Sequence, residues 1–173
     1  MSDFDVAFDW MMDNEDSTRA CVPVHDPIPL KDGKAMAISG INSYFYPLDY
    51  ENILGIVPAN RLSAVRGFYH RVFWNQWFAQ LASDEVAKRV FDASVNMGPG
   101  TAVKLLQEAV NAEPSIIDKT VPIAVDGVWG PLTVDAANSC GTWLVIAFQQ
   151  VRVAHYKAIG GPNLAAWIAR AEK

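Results

Sequence analysis

The side chains in this sequence best suited to chemistry lie near its N-terminus. Glu15 follows an apolar stripe of Phe4, Ala7, Phe8, Met11 and Met12, spaced as one face of a helix. Position 15 extends that stripe from 4, 8 and 11, which aims a carboxylate along the side that should face a core. A carboxyl group in such a setting suits proton donation, because burial disfavours its charged form. The same residue also fits a plain role as the polar end of a last helical turn. Asp26 precedes Pro27, as ordinary loop aspartates do, and Asp32 precedes Gly33 in a turn pair. Cys21 and His25 offer a different chemistry, a thiol nucleophile with a base. Such partners usually come from separate elements, so closeness in sequence carries little weight. His70 and His155 have no neighbours at metal-ligand spacing, so zinc is not expected and no cofactor is called for.

These residues need elements to hold them. The periodicity predicts a first helix from about Asp3 to Asp13, closed by the polar stretch 13–19. Pro23, Pro27 and Pro29 favour extended chain. Asp32-Gly33 then predicts a hairpin near Ile28–Ile38, because a tight hairpin turn needs positive φ at its centre. Ser39-Gly40 is expected to break the second strand, and Tyr44-Phe45-Tyr46-Pro47 to form an aromatic turn. The remainder reads as helices: a short one near Leu48–Leu54, a long one over Ser63–Ala82, and one capped by Ser83 or Asp84. After the break at 96–100 come helices from Thr101, from Pro131, over Gly141–Ala158 and over Asn163–Ala171.

The fold class expected is therefore mainly α (α+β), with one small β-hairpin after the first helix. A chain of 173 residues, 51% hydrophobic and 19% charged, can build one good core and is poorly suited to disorder. Its net charge of -5 and the lack of any Lys/Arg run argue against nucleic acid as a partner. No apolar stretch approaches the ~18 residues of a membrane span. The N-terminus lacks the features of a signal peptide. Cys21 and Cys140 do not define a disulfide framework, and two partly buried thiols is the favoured reading.

The ordered motifs resemble glycoside hydrolase family 108, bacterial and phage muramidases of the lysozyme-like superfamily. Glu15 holds the position of the family glutamate, Asp26-Pro27 matches an Asp-Pro loop, and Gly40-Ile41 matches a Gly-Ile segment. Tyr69 and Phe73-Trp74 fit a tyrosine and an aromatic-Trp pair on a long helix. Phe91-Asp92-Ala93-Ser94-Val95-Asn96-Met97-Gly98 and Leu106-Gln107 follow in order. Val125-Asp126-Gly127-Val128-Trp129-Gly130-Pro131-Leu132-Thr133 is similar to the peptidoglycan-binding segment of those enzymes. The chain departs from the pattern at Asp16-Ser17, where the family has two glycines. It departs again in a longer loop before Gly40, and at Ala37-Ile38 in place of Thr-Asn.

The resemblance implies a single lysozyme-like domain over 1–173, with a catalytic part at 1–98 and a wall-binding helical part at 99–173. It implies hydrolysis of the bond between N-acetylmuramic acid and N-acetylglucosamine in peptidoglycan, with Glu15 as general acid and Asp26 as a possible second group. No second carboxylate is required. Tyr46, Tyr69 and Asn96 are candidates to line the sugar cleft, although Tyr69 also reads as helix core and Asn96 as a helix C-cap. Trp74 and Trp77 read more readily as core. A monomer without a membrane span is expected, reaching the wall through holin-type or other non-classical release. Two rivals stand beside this reading: a peptidoglycan-binding module without catalysis, and a Cys/His amidase or peptidase.

Overall fold

A computed structural model describes residues 1–26, 35–112 and 122–173. It is mainly helical, with one small antiparallel sheet, as the hydrophobic periodicity predicts. No helix among the described residues is long and apolar enough to cross a membrane. Two compact units make up the chain, one of residues 8–74 and one of residues 1–7 with 75–173.

The smaller unit takes most of helix α1 (Phe4–Glu15), whose apolar stripe is buried through Phe8, Met11 and Met12. Strands β1 (Pro23–His25), β2 (Met36–Ile38) and β3 (Ile41–Asn42) follow. They form a three-stranded meander in which Val24 pairs with Ala37 and Ala37 with Asn42. Pairing begins at Pro23, which corrects the start of the anticipated hairpin. Ser39-Gly40 ends the second strand as expected, and a third strand follows it. Asp32-Gly33 and most of the anticipated hairpin's first strand lie outside the described residues. Ser39 and Gly40 both have positive φ, +47° and +81°, the backbone of a tight hairpin turn, and Ile38 pairs with Ile41 across it.

Helix α2 (Pro47–Leu54) and helix α3 (Arg61–Phe73) complete this unit, joined through a 3-10 turn at Pro58–Asn60. Arg61 is buried and its guanidinium donates to the carbonyls of Cys21, Leu54 and Ile56, which satisfies three backbone acceptors at once. Phe68, Tyr69 and Phe73 of α3 form an edge-packed aromatic cluster with Tyr46, and Tyr69 reaches Phe8 of α1.

The long helix expected over Ser63–Ala82 is broken. Trp74 is extended, and Asn75 caps a new short helix α4 (Gln76–Gln80) by accepting the Trp77 N–H at 2.9 Å. Apolar periodicity runs straight through the break, so only the capping residue reveals it.

In the larger unit, α5 (Asp84–Met97) is capped by Ser83, and Gly98 at φ +88° separates it from α6 (Pro99–Asn111). Helix α6 thus begins at Pro99 rather than Thr101, with proline in the position it tolerates best. Helices α7 (Pro131–Ser139), α8 (Trp143–Ile159) and α9 (Leu164–Ala171) follow. Helix α6 buries Ala102, Val103, Leu105, Leu106, Ala109 and Val110, and packs with α5, α7 and α8.

At the heart of this unit lies an ion cluster. Asp92 is fully buried and accepts from Arg152, itself 1% exposed, and from Nε and Nη2 of Arg170. Its carboxylate joins α5 to α8 and α9, helices far away in sequence.

Candidate active site

Glu15 is the last residue of α1 and is half-buried. The turn Ser39-Gly40 lies directly against it. A methyl group built on Gly40 would stand 2.5 Å from Glu15 Oε2 and 2.7 Å from the Tyr69 hydroxyl. Glycine is therefore required twice here, by the left-handed backbone and by the close approach of a carboxylate and a phenol. Tyr69 is 1% exposed and its hydroxyl donates to the Ser39 carbonyl at 2.8 Å. Packing against Phe8, Phe68 and Phe73 fixes its ring.

Changing Gly40 to alanine should expel the Glu15 carboxylate from its position. Strain at φ +81° should cost about 1–3 kcal/mol. Thermal unfolding of Gly40→Ala measures that cost, and a wild-type melting temperature in that variant would show that the close approach does not matter.

Asp16, the neighbour of Glu15, is fully engaged. Its Oδ2 accepts the Cys21 N–H and the Ser39 hydroxyl, each at 2.8 Å, and its Oδ1 accepts the Thr18 hydroxyl at 2.8 Å. Burial works against its charge, yet the hydrogen bonds from Cys21, Thr18 and Ser39 outweigh it and hold the carboxyl below the ordinary aspartate value.

Asp26 lies at the opposite end of the strands from the turn, where its N–H donates to the Ala35 carbonyl. Its Oδ2 accepts from Asn42 Nδ2 at 2.7 Å. Asn42 is buried, and its Oδ1 accepts the N–H groups of Tyr44 and Phe45. One amide side chain thus fixes Asp26 on one side and the aromatic turn on the other. Within that turn Tyr46 packs inward, edge-on to Phe68 at 4.9 Å, and burial followed by the charge of Asp49 raises its hydroxyl pKa. Tyr44 and Phe45 face out, 64% and 57% exposed, and pack edge to face. The two outward rings escape sequence reasoning, because a run of three aromatics does not reveal which of them a turn will bury.

Glu15, Asp26, Tyr46 and Tyr69 therefore share the smaller unit. Asn96 belongs to the larger one, where its Oδ1 accepts the Tyr156 hydroxyl and Tyr156 stacks on Trp167. Also there, the Val125–Thr133 segment is organised by buried Gln107. Its Nε2 donates to Asp126 and Thr133, and its Oε1 accepts the Gly127 N–H. Gly127, at φ +75°, presses so closely on the Gly100 carbonyl that a methyl group would stand 2.7 Å from it. Exposed Val128 and Leu132 line a cavity of about 180 Å³ with Trp129 and Gln107. A larger apolar cavity of about 430 Å³ is lined by Leu81, Val86, Ala137 and Val145; the acid in its lining, Glu85, is taken by Lys88 and Arg89.

Cys21 is fully buried and its thiol donates to the Arg19 carbonyl, a poor setting for a nucleophile. Cys140 is also buried. Among the described residues, no three His, Cys, Asp or Glu side chains gather into a group that could hold a metal. No protein-family model matches the chain, and no curated protein matches it at a significant level.

Proposed function

We propose that this chain is a lysozyme-like peptidoglycan hydrolase, an N-acetylmuramidase with Glu15 as its general acid. One observation carries the reading. Glu15, Gly40 and Tyr69 stand far apart in sequence and were singled out separately by the resemblance, yet their atoms meet around one point. A carboxylic acid held against a rigid turn is the part that glycosidic cleavage needs most, because the leaving oxygen must receive a proton as the bond breaks. Asp26, fixed by Asn42, is the candidate to activate water or to stabilise positive charge.

Tyr44 and Phe45 would supply flat apolar surface to the sugars beside Asp26. Alanine at both positions should raise KM for soluble glycan fragments about tenfold, the ~1.4 kcal/mol expected from losing aromatic contact area. The change in kcat should be small, and an unchanged KM would place the glycan elsewhere. The Val125–Thr133 segment would bind the wall, and release from the cell would follow a holin-type or other non-classical route.

Purified peptidoglycan treated with the protein tests the proposal. Falling turbidity with new reducing ends supports it. Binding without lysis would favour a wall-binding module, which the exposed Val128 and Leu132 also suit. New free amino groups in place of reducing ends would favour an amidase or peptidase.

A further inference from the structure

We propose that Asp16 is a positioning residue for Glu15, which pins the Ser39-Gly40 turn against the Glu15 carboxylate. The inference rests on the reading of Glu15 as the general acid.

Among the described residues, three non-glycine residues have positive φ: Arg19, Cys21 and Ser39. Each is hydrogen-bonded to Asp16. The Arg19 N–H donates to the Asp16 carbonyl at 2.9 Å, while the Cys21 N–H and the Ser39 hydroxyl donate to its carboxylate. Left-handed backbone at ordinary residues persists only where its surroundings over-determine it, and it clusters at functional sites. Here one residue contributes to all three, through its carbonyl at Arg19 and its carboxylate at Cys21 and Ser39. Asp16 directly follows α1 and is tied to its last turn, its N–H donating to the Met12 carbonyl at 2.8 Å. The helix that carries Glu15 therefore also carries the anchor for the turn facing it.

Ser39 is gripped from two directions. Its hydroxyl goes to Asp16 and its carbonyl accepts the buried Tyr69 hydroxyl. The next residue, Gly40, is the one that touches Glu15. With both groups of Ser39 tied, the turn cannot retreat from the carboxylate. The resembled motif has glycine at the position of Asp16, so this clamp belongs to the present chain. Its three bonds commit both carboxylate oxygens of Asp16 to the loop, which leaves proton transfer to Glu15.

The test measures kcat and KM for reducing-end release from soluble glycan fragments, with thermal unfolding in parallel. Asp16→Ala and Ser39→Ala should each lower kcat by about 10- to 100-fold, the cost of a misplaced reacting group, with KM within about twofold. The double variant should be no worse than Asp16→Ala alone, because the two act as one unit. Asp16→Asn should keep kcat within a few-fold. Its amide oxygen can accept from Cys21 and Ser39, and its amino group can donate to the Thr18 oxygen. Should Asp16→Ala fail to fold, Ser39→Ala, which removes a single hydroxyl, carries the test. An active wild type whose folded variants keep full kcat, or lose only KM, overturns the inference alone. A wild type that releases no reducing ends overturns the enzymatic reading and this inference with it.

Discussion

Replacing Glu15 with glutamine is expected to lower the rate of peptidoglycan cleavage by about 10²- to 10⁴-fold, the usual worth of a positioned general acid. Glutamine has nearly the same shape and leaves the close contact with Gly40 in place. Stability should therefore change by less than about 1 kcal/mol, as for substitutions that open no cavity and bury no new orphan. The pairing of a large kinetic loss with a small stability change is what separates a catalytic group from a structural one. A matched Asp16→Asn control, altered next door in the chain, should lose far less. Steady-state rates on soluble glycan, with circular dichroism melts of both variants, decide the matter.

The second large effect belongs to the larger unit. Asp92 is fully buried and shared between Arg152 and Arg170. Asp92→Asn keeps the shape but removes the buried charge that pairs with both guanidinium groups. Breaking a buried ion pair from one side costs about 3–5 kcal/mol. For a chain of this length that corresponds to a fall in Tm on the order of 10 °C. The cost comes from the arginines left behind, so removing the charge of Arg152, the more deeply buried of the two, should restore part of the loss. Asp92→Leu combined with Arg152→Met should melt well above Asp92→Asn. Equal melting of wild type and Asp92→Asn would show that the cluster contributes little.

The sequence exposes these two sites to different degrees. The α1 stripe is local, a matter of spacing within one helix, so periodicity alone aligns Glu15 with it, although the helix runs to Glu15 and past its expected end near Asp13. The turn that faces Glu15 was harder to see. Asp32-Gly33 gives the stronger hairpin signal, whereas Ser39-Gly40 precedes a strand of only two residues, Ile41 and Asn42, too short to show alternation. Asp16 is plain in the sequence as a departure from a motif. Its meaning emerges only when Cys21 and Ser39 converge on it, and Ser39 is 23 positions away. Asp92 shows the same limit more strongly, since its arginines lie 60 and 78 positions further along. Tertiary partners of this kind leave no periodic trace. The break at Trp74-Asn75 does leave one, a capping asparagine, but the apolar pattern running through Phe73, Trp77 and Leu81 hides it.

The most direct test of the central claim is the chemical identity of the new chain end. Purified peptidoglycan is digested with wild type and with Glu15→Gln, the products are reduced with borohydride, and the reduced sugar is identified by mass spectrometry. Reduced N-acetylmuramic acid from the wild type, and its near absence with Glu15→Gln, is the predicted result. Reduced N-acetylglucosamine, no reduced sugar, or equal yields from the two proteins would contradict the claim.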